Sequence, residues 1–380
     1  MSVNESEYRL ALLQALFDQL PDFFYVHNSE LRFQYVNQAA AAYFGVPKNE
    51  LIGKLHSQVD SSKQARYIED ILRPIFDADG PVRLDDIVYD RKDGTRGVLE
   101  ADVLPFRDPA SGEPMLLGIS RDITDRARLE RERAARSALE RELEIARRVQ
   151  QSLVPVRVPD IAGLDICARS IPAEFVGGDF YDFLDVPERN SVVIMLGDVS
   201  GHGVGSALIA ASCRAHARAI FSHMPLGPGT ARLNQTLVDE VPVGSFVTFA
   251  AIEVSRDLAG LDFVSAGHGP TYHVRGGEPV ELRAHMPPLG VVPDGSPGAA
   301  TRLELSAGDS IILPTDGMFE VAAEGGEMMG TERFCEIASS IRGAEPTANA
   351  CFAAESEWRG DLEAADDRTL IVIHRRDAGR

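Results

Sequence analysis

Four aspartates in the C-terminal half of the chain stand where an apolar strand meets a turn. They are Asp179 in Val176-Gly-Gly-Asp-Phe-Tyr-Asp182, Asp198 in Leu196-Gly-Asp-Val-Ser-Gly-His-Gly203, Asp316 in Leu313-Pro-Thr-Asp-Gly317, and Asp366 in Asp366-Asp-Arg-Thr369. A strand that ends in a carboxylate presents a hard oxygen ligand from a rigid support. Glycines beside it let metal, water or phosphate approach the backbone closely. One Asp-Gly alone is more often only a turn. Four of them, each opening or closing an apolar strand, predict a single acidic cluster.

Carboxylates brought together repel, and burying them unpaired is costly. Divalent cations reverse that penalty, and an all-oxygen ligand set favours Mg²⁺ or Mn²⁺ over zinc. Two such ions about 4 Å apart can share a hydroxide, lower its pKa and clamp the oxygens of a phosphoryl group. This is hydrolase chemistry that needs no nucleophilic side chain. Convergence of the four in space is the expectation on which it depends.

The elements that must position them lie in a segment of 226 residues, 155–380. Strand character is marked in Val192–Leu196, Phe246–Val254, Leu261–Val264, Ser310–Leu313 and Leu370–Ile373, with helical stretches at Val204–Phe221 and Thr331–Arg342. Strands that do not alternate regularly with helices predict an antiparallel sandwich with helices outside. Residues 125–154 are dense in Arg and Glu, and Leu129, Leu139, Leu143, Ala146 and Leu153 trace a narrow apolar seam. Glu132, Arg136 and Gln150 interrupt that seam. The pattern suits a short coiled coil joining two copies, or a single solvated helix stiffened by ion pairs. Proline at 155 and 159 ends the helix.

Residues 1–124 carry an amphipathic run at Tyr8–Phe17 and short strands at Phe23–Val26 and Phe33–Val36. Asn37 then stands as an N-cap before Ala39–Phe44, and strands at Val82–Tyr89, Gly97–Leu104 and Met115–Ser120 follow, with a turn at Lys92–Gly94. This is the outline of a small α+β domain of the sensor type.

The whole chain has 380 residues, enough for two or three domains, and 44% hydrophobic and 25% charged residues mark it as globular. A net charge of −20 argues against a duplex-binding surface, so no nucleic-acid partner is expected. The four cysteines, Cys167, Cys213, Cys335 and Cys351, lie too far apart for a zinc site or a disulfide framework, which predicts a reduced, cytoplasmic setting. No secretory leader is legible in Met1–Leu20, and no apolar run reaches the roughly 20 residues a membrane helix requires.

Segment 155–380 resembles the SpoIIE/RsbU-type branch of the metal-dependent (PPM, type 2C) serine/threonine phosphatases. The motifs VGGDFYDF, GDVSGHGVGSAL, SAGHGP, PTDGMFE and DDRT occur in the family's order. The resemblance implies two packed antiparallel sheets flanked by helices and a pair of Mn²⁺ or Mg²⁺ ions. It implies that Asp198 bridges both ions, that Asp179 and the carbonyl of Val199 serve one, and that Asp316 and Asp366 hold the other. Asp182 and Asp367 are their closest rivals in sequence. Related phosphatases use a histidine near the bridging aspartate as general acid, a role open to His202, which could equally order its own loop. His268 reads as structural. No arginine stands within AEFVGGDFYD to bind phosphate, and Pro314 occupies a position where the family commonly has an aromatic residue.

The N-terminal segment resembles a PAS domain through YVNQAAAAYFGVPKNELIGK and RKDGTRGVLEADVLPFRDPASGEPMLLGISRDITDR. Such domains bind small ligands or pair with each other. No flavin-type cysteine is present here, and a lone His56 is a weak haem candidate, so the sensor ligand is unknown. The two resemblances together imply a sensor-regulated phosphatase acting, through a metal-bridging hydroxide, on a phosphorylated anti-sigma-factor antagonist (STAS-type) protein. A homodimer is expected. The alternative is a silent phosphatase-fold scaffold. A diguanylate cyclase fits poorly, because Gly177-Gly-Asp-Phe180 lacks the second acidic residue and leaves the other three motifs unexplained.

Overall fold

Helix α1 (Glu5–Gln19) opens the chain, with Leu10, Leu13 and Leu16 exposed and Phe17 against Phe24 at a centroid separation of 5.2 Å. This computed structural model describes residues 5–60, 63–90, 95–296 and 298–377. The Lys92–Gly94 turn expected from the sequence lies outside the described residues. The chain divides into two compact units, the first ending at Ala138 and the second beginning at Leu139.

In the first unit, β1 (Phe23–His27), β2 (Phe33–Val36), β3 (Val82–Asp90), β4 (Arg96–Arg107) and β5 (Pro114–Asp122) form an antiparallel sheet in the order β2-β1-β5-β4-β3. Helices α2 (Gln38–Phe44), α3 (Lys48–Leu51), α4 (His56–Val59) and α5 (Lys63–Leu72) fill the connection between β2 and β3. Asn37 is the expected cap, its Oδ1 accepting from the Ala40 N–H at 2.9 Å. It also ties the domain together, because Oδ1 accepts from Phe24 N–H and Nδ2 donates to the carbonyls of Phe17 and Asp22.

The linker is one helix, α6 (Thr124–Leu153), which starts in the first unit and ends in the second. Leu129 and Leu139 of the anticipated seam are exposed, as are Ile145 and Val149, which the seam did not include. Leu143 and Ala146 are half-buried.

The second unit holds two five-stranded antiparallel sheets. One orders β13 (Thr301–Leu303), β10 (Leu261–Ala266), β9 (Val247–Ser255), β8 (Ser191–Val199) and β7 (Phe180–Val186). The other orders β12 (Glu278–Leu282), β11 (Thr271–Arg275), β14 (Ser310–Pro314), β15 (Arg368–Arg375) and β6 (Leu164–Ile171). Alternation along the strands assigns each residue a layer. Val192, Ile194 and Leu196 of β8 pack with Ile311 and Leu313 of β14 and Ile371 and Ile373 of β15 in the core between the sheets. Val193 and Met195 turn to α7 (Val204–Phe221) and α8 (Leu226–Glu240). Ile312, Leu370 and Val372 turn to α9 (Gly330–Ser340) and α10 (Ala344–Arg359). Burial of both faces is why these strands read as unbroken apolar runs, and each such side chain contributes about 1.5–3 kcal/mol. The layering is helix, sheet, sheet, helix, as expected. Helices α8 and α10 and strands β6, β7, β11, β12 and β13 add to the elements read from the sequence.

Candidate metal-dependent active site

Strands β7, β8, β14 and β15 deliver the four aspartates to one end of the sandwich. Asp179 precedes β7, Asp198 is the penultimate residue of β8, Asp316 follows β14 by two residues, and Asp366 precedes β15 by two. Asp179 Oδ2 accepts from the Thr315 hydroxyl at 2.7 Å, which links the first acidic motif to the third. Thr315 is held in turn by Thr369, whose carbonyl accepts the Thr315 N–H and whose own N–H donates to Thr315 Oγ1, both at 2.9 Å. The third and fourth motifs are thereby joined.

Two glycines make the close approach sterically feasible. A Cβ on Gly317 would lie 2.1 Å from the carbonyl oxygen of Asp367, and a Cβ on Gly178 would lie 2.8 Å from the carbonyl oxygen of Val199. Any side chain at either position would push one acidic motif off another.

The electrostatics are those of a site short of positive charge. Burial raises Asp198 to about 7, and repulsion from Asp316, Asp366 and Asp367 adds to it. Burial and then Asp198 push Asp179 well above the usual carboxylate range, against the Thr369 and Thr315 hydroxyls that favour its ionised form. Asp316 is raised to about 6 by burial, Asp366 and Glu320. Asp366 is raised by burial, opposed by the Asp367 N–H and by His202. None of the four carries an ion pair with Lys, Arg or His among the described residues. The donors are hard oxygens, four carboxylates with the Val199 carbonyl close by, and their shared need is for cations that take oxygen ligands. Among the described residues no three His, Cys, Asp or Glu side chains are placed so as to hold one metal ion.

The neighbours separate cleanly. Asp182 is buried and paired with Arg218 Nη1 and Arg214 Nε, each at 2.8 Å, so its charge is already balanced. Asp367 turns away from the cluster to accept main-chain N–H groups, Ala173 at 2.8 Å and Asp179 at 3.2 Å. His202 is 81% exposed, and its Nδ1 lies 3.1 Å from Glu174 Oε1. His268 is structural: Nδ1 meets Thr248 Oγ1 and Nε2 meets the Pro314 carbonyl, both at 3.0 Å, which pins one sheet to the other just before Asp316. Burial lowers it to about 4, so it stays neutral. Thr315, Glu174 and Gln150 were not singled out as site residues by sequence; the only signals were that the first two flank acidic motifs and that Gln150 breaks an apolar seam.

His56 of the first unit is neither solitary nor exposed. Its Nε2 lies 3.1 Å from Nε2 of His27, both rings are buried, and Phe33 and Phe44 pack around them. His56, with Tyr25, Tyr43 and Ser120, also lines an apolar cavity of ≈ 500 Å³, counting the part open to solvent.

Comparison with known proteins agrees with this architecture. Residues 188–376 match the family described as Stage II sporulation protein E (SpoIIE), and residues 17–128 match the PAS fold. The chain is 28% identical over 253 residues to the phosphoserine phosphatase RsbU of Bacillus subtilis, covering 64% of this chain and 73% of that protein. It is 27% identical over 190 residues to the phosphoserine phosphatase RsbP of the same species, covering 48% of this chain and 46% of RsbP. The structure of the SiaA-PP2C domain of Pseudomonas aeruginosa superposes with a TM-score of 0.56 at 25% identity, covering 64% of this chain and 99% of that domain. Among the described residues no helix is long and apolar enough to cross a membrane.

Proposed function

Since this chain joins a PAS fold to a SpoIIE-family domain of the PP2C type, we propose that it is a sensor-regulated, metal-dependent phosphatase of phosphoserine or phosphothreonine in proteins. One observation carries the reading: four strand-end aspartates form a single electrostatic cluster in which burial and mutual repulsion raise Asp198 to about 7. In this reading two divalent ions would be held by Asp198 together with Asp179 and the Val199 carbonyl on one side and Asp316 and Asp366 on the other. Bound there, Mn²⁺ or Mg²⁺ would supply an activated water and charge stabilisation for the phosphoryl group.

The remaining work belongs to the chain's own side chains. Thr315 and Thr369 orient Asp179 and favour its ionised form, opposing the burial and the Asp198 repulsion that raise it. The Glu174 carboxylate beside His202 Nδ1 favours the tautomer that keeps the proton there when the ring is neutral. Protonation then places the second proton on Nε2, from which it can pass to a departing serine oxygen. The substrate class that fits the branch is a phosphorylated anti-sigma-factor antagonist, with RsbU and RsbP, both named phosphoserine phosphatases, as the supporting relatives. The exposed apolar positions of α6 support pairing of two copies along the linker.

The test is hydrolysis of p-nitrophenyl phosphate with Mn²⁺, with EDTA, and by Asp198→Ala. Turnover that needs Mn²⁺ and disappears in both controls is the expected result. Silence from the full chain and from residues 155–380, with no Mn²⁺ bound by either, would instead favour a phosphatase-fold scaffold.

A further inference from the structure

Gln150 breaks the apolar seam of the linker helix, and the structure gives it a task. Its side-chain amide pairs with both polar groups of one residue: Nε2 donates to the Gly177 carbonyl at 2.6 Å, and Oε1 accepts from the Gly177 N–H at 3.0 Å. Gly177 lies two residues before Asp179. Its Cα rests directly on the Asp367 carboxylate, since an added Cβ would lie 2.1 Å from Asp367 Oδ2. That same Oδ2 accepts the Asp179 N–H at 3.2 Å. A continuous series of contacts therefore runs from the last turns of α6 through Gly177 and Asp367 to Asp179.

We propose that Gln150 is a positioning residue through which the linker helix sets the Asp179 loop and hence metal binding. The inference rests on the metal-dependent reading above. Two hydrogen bonds to one glycine fix both the height and the rotation of the helix relative to that loop. Turning the helix by one residue, about 100°, would carry the amide off Gly177 and replace it with Val149 or Gln151. Gly177 would then lose the contact that presses it against Asp367, and the Asp179 main chain would lose a fixed partner. A helix that begins in the sensor unit thereby ends on the support of a candidate metal ligand.

The experiment uses the full chain and two readouts, Mn²⁺ affinity by titration calorimetry and Mn²⁺-dependent hydrolysis of p-nitrophenyl phosphate. Gln150→Ala is expected to bind Mn²⁺ about 10-fold more weakly, as loss of a partner supporting a ligand commonly does. Gln150→Glu keeps the length and the acceptor for the Gly177 N–H but cannot donate to its carbonyl, so it should also bind more weakly. Gln151→Ala, one position along and exposed, should bind as the parent does. Thermal melts accompany each variant, and Gln150→Glu carries the test if Gln150→Ala does not fold. Parental Mn²⁺ affinity in the folded Gln150 variants, whether or not the melting point drops, would overturn the positioning role and leave the metal site standing. A parent that binds no Mn²⁺ at all would overturn both.

Discussion

Asp367 Oδ2 accepts the main-chain N–H of Asp179 at 3.2 Å, so the second acid of the Asp366-Asp367 pair supports the first acidic motif instead of joining the cluster. Its other oxygen accepts from Ala173, six residues upstream of Asp179. The division is geometric: adjacent residues entering a strand point in opposite directions, so one carboxylate faces the cluster and the next faces the loop that frames it. Asp367 still raises Asp179 and Asp198 by repulsion, and positive charge in the cluster would relieve that as well.

The same contrast separates Asp182 from Asp198. Asp198→Ala removes a carboxylate from a cluster of like charges, and is expected to abolish Mn²⁺-dependent hydrolysis while leaving the metal-free melting point unchanged or raised. Asp182→Ala leaves Arg214 in place with its buried partner gone, a change that costs about 3 kcal/mol or more. A urea unfolding series in EDTA reads the difference. A fully stable Asp182→Ala would show that Arg214 finds water or another acceptor.

Much of the layout was open to sequence reading because the physics leaves one answer. Strands β8, β14 and β15 are buried on both faces, so they appear as apolar runs that end at the aspartates. Helix α8 was not, because Gly227, Pro228 and Gly229 open it and look like a loop. The structure shows their reason: a Cβ on Gly229 would lie 2.7 Å from the Phe221 ring, and proline is tolerated in a first turn. Helix α10 is rich in alanine and therefore weak in hydrophobic pattern, although Ala344, Ala348 and Cys351 are buried. Within the site, the order of the acidic motifs was legible, but which of two neighbouring acids faces inward was not. Arg214 and Arg218, which balance Asp182, lie far along the chain on α7, and only the fold brings them to it.

Stability without metal should depend on pH in a direction fixed by the cluster. Asp198 rises from 3.8 to about 7 on folding, so the folded state binds protons more tightly than the unfolded state. Its contribution to stability is fully present below pH 3.8 and is lost as pH rises towards 7. Asp198→Asn removes that titration without changing shape. In EDTA the variant is expected to melt above the parent at pH 8, and the gap should narrow at pH 5 and close below about pH 4. Saturating Mn²⁺ should raise the parent and not the variant at pH 8. A gap that is independent of pH would mean the carboxylate does not titrate in this range.

The paired histidines of the first unit give the opposite sign. Burial lowers His56 from 6.5 to about 4, although Asp60 pulls the other way, and burial followed by repulsion from His56 lowers His27 well below 6.5. Two neutral rings that resist protonation contribute stability above pH 6.5, and this is lost as pH falls towards 4. Acidification is expected to open the first unit before the second. Hydrogen exchange of β1 and α4 in the full chain between pH 7 and pH 4.5 measures it. A His27→Leu/His56→Leu double variant should flatten the response. Equal acid sensitivity in that variant would place the cause elsewhere.

His202 can be tested by the leaving group it would serve. Its Nδ1 lies 3.1 Å from Glu174 Oε1, and the ring is 81% exposed at the edge of the acidic cluster, close enough to act on Asp366. A serine alkoxide is a poor leaving group and needs a proton, whereas p-nitrophenolate departs without one. His202→Ala is therefore expected to reduce kcat on a phosphoserine peptide by about 10²-fold, within the usual range for a general acid. Turnover of p-nitrophenyl phosphate should change little. Glu174→Gln, which keeps an oxygen near Nδ1 but removes the charge, should give a smaller loss with the same selectivity. If His202→Ala slows both substrates equally, the histidine orders its loop and the proton comes from solvent.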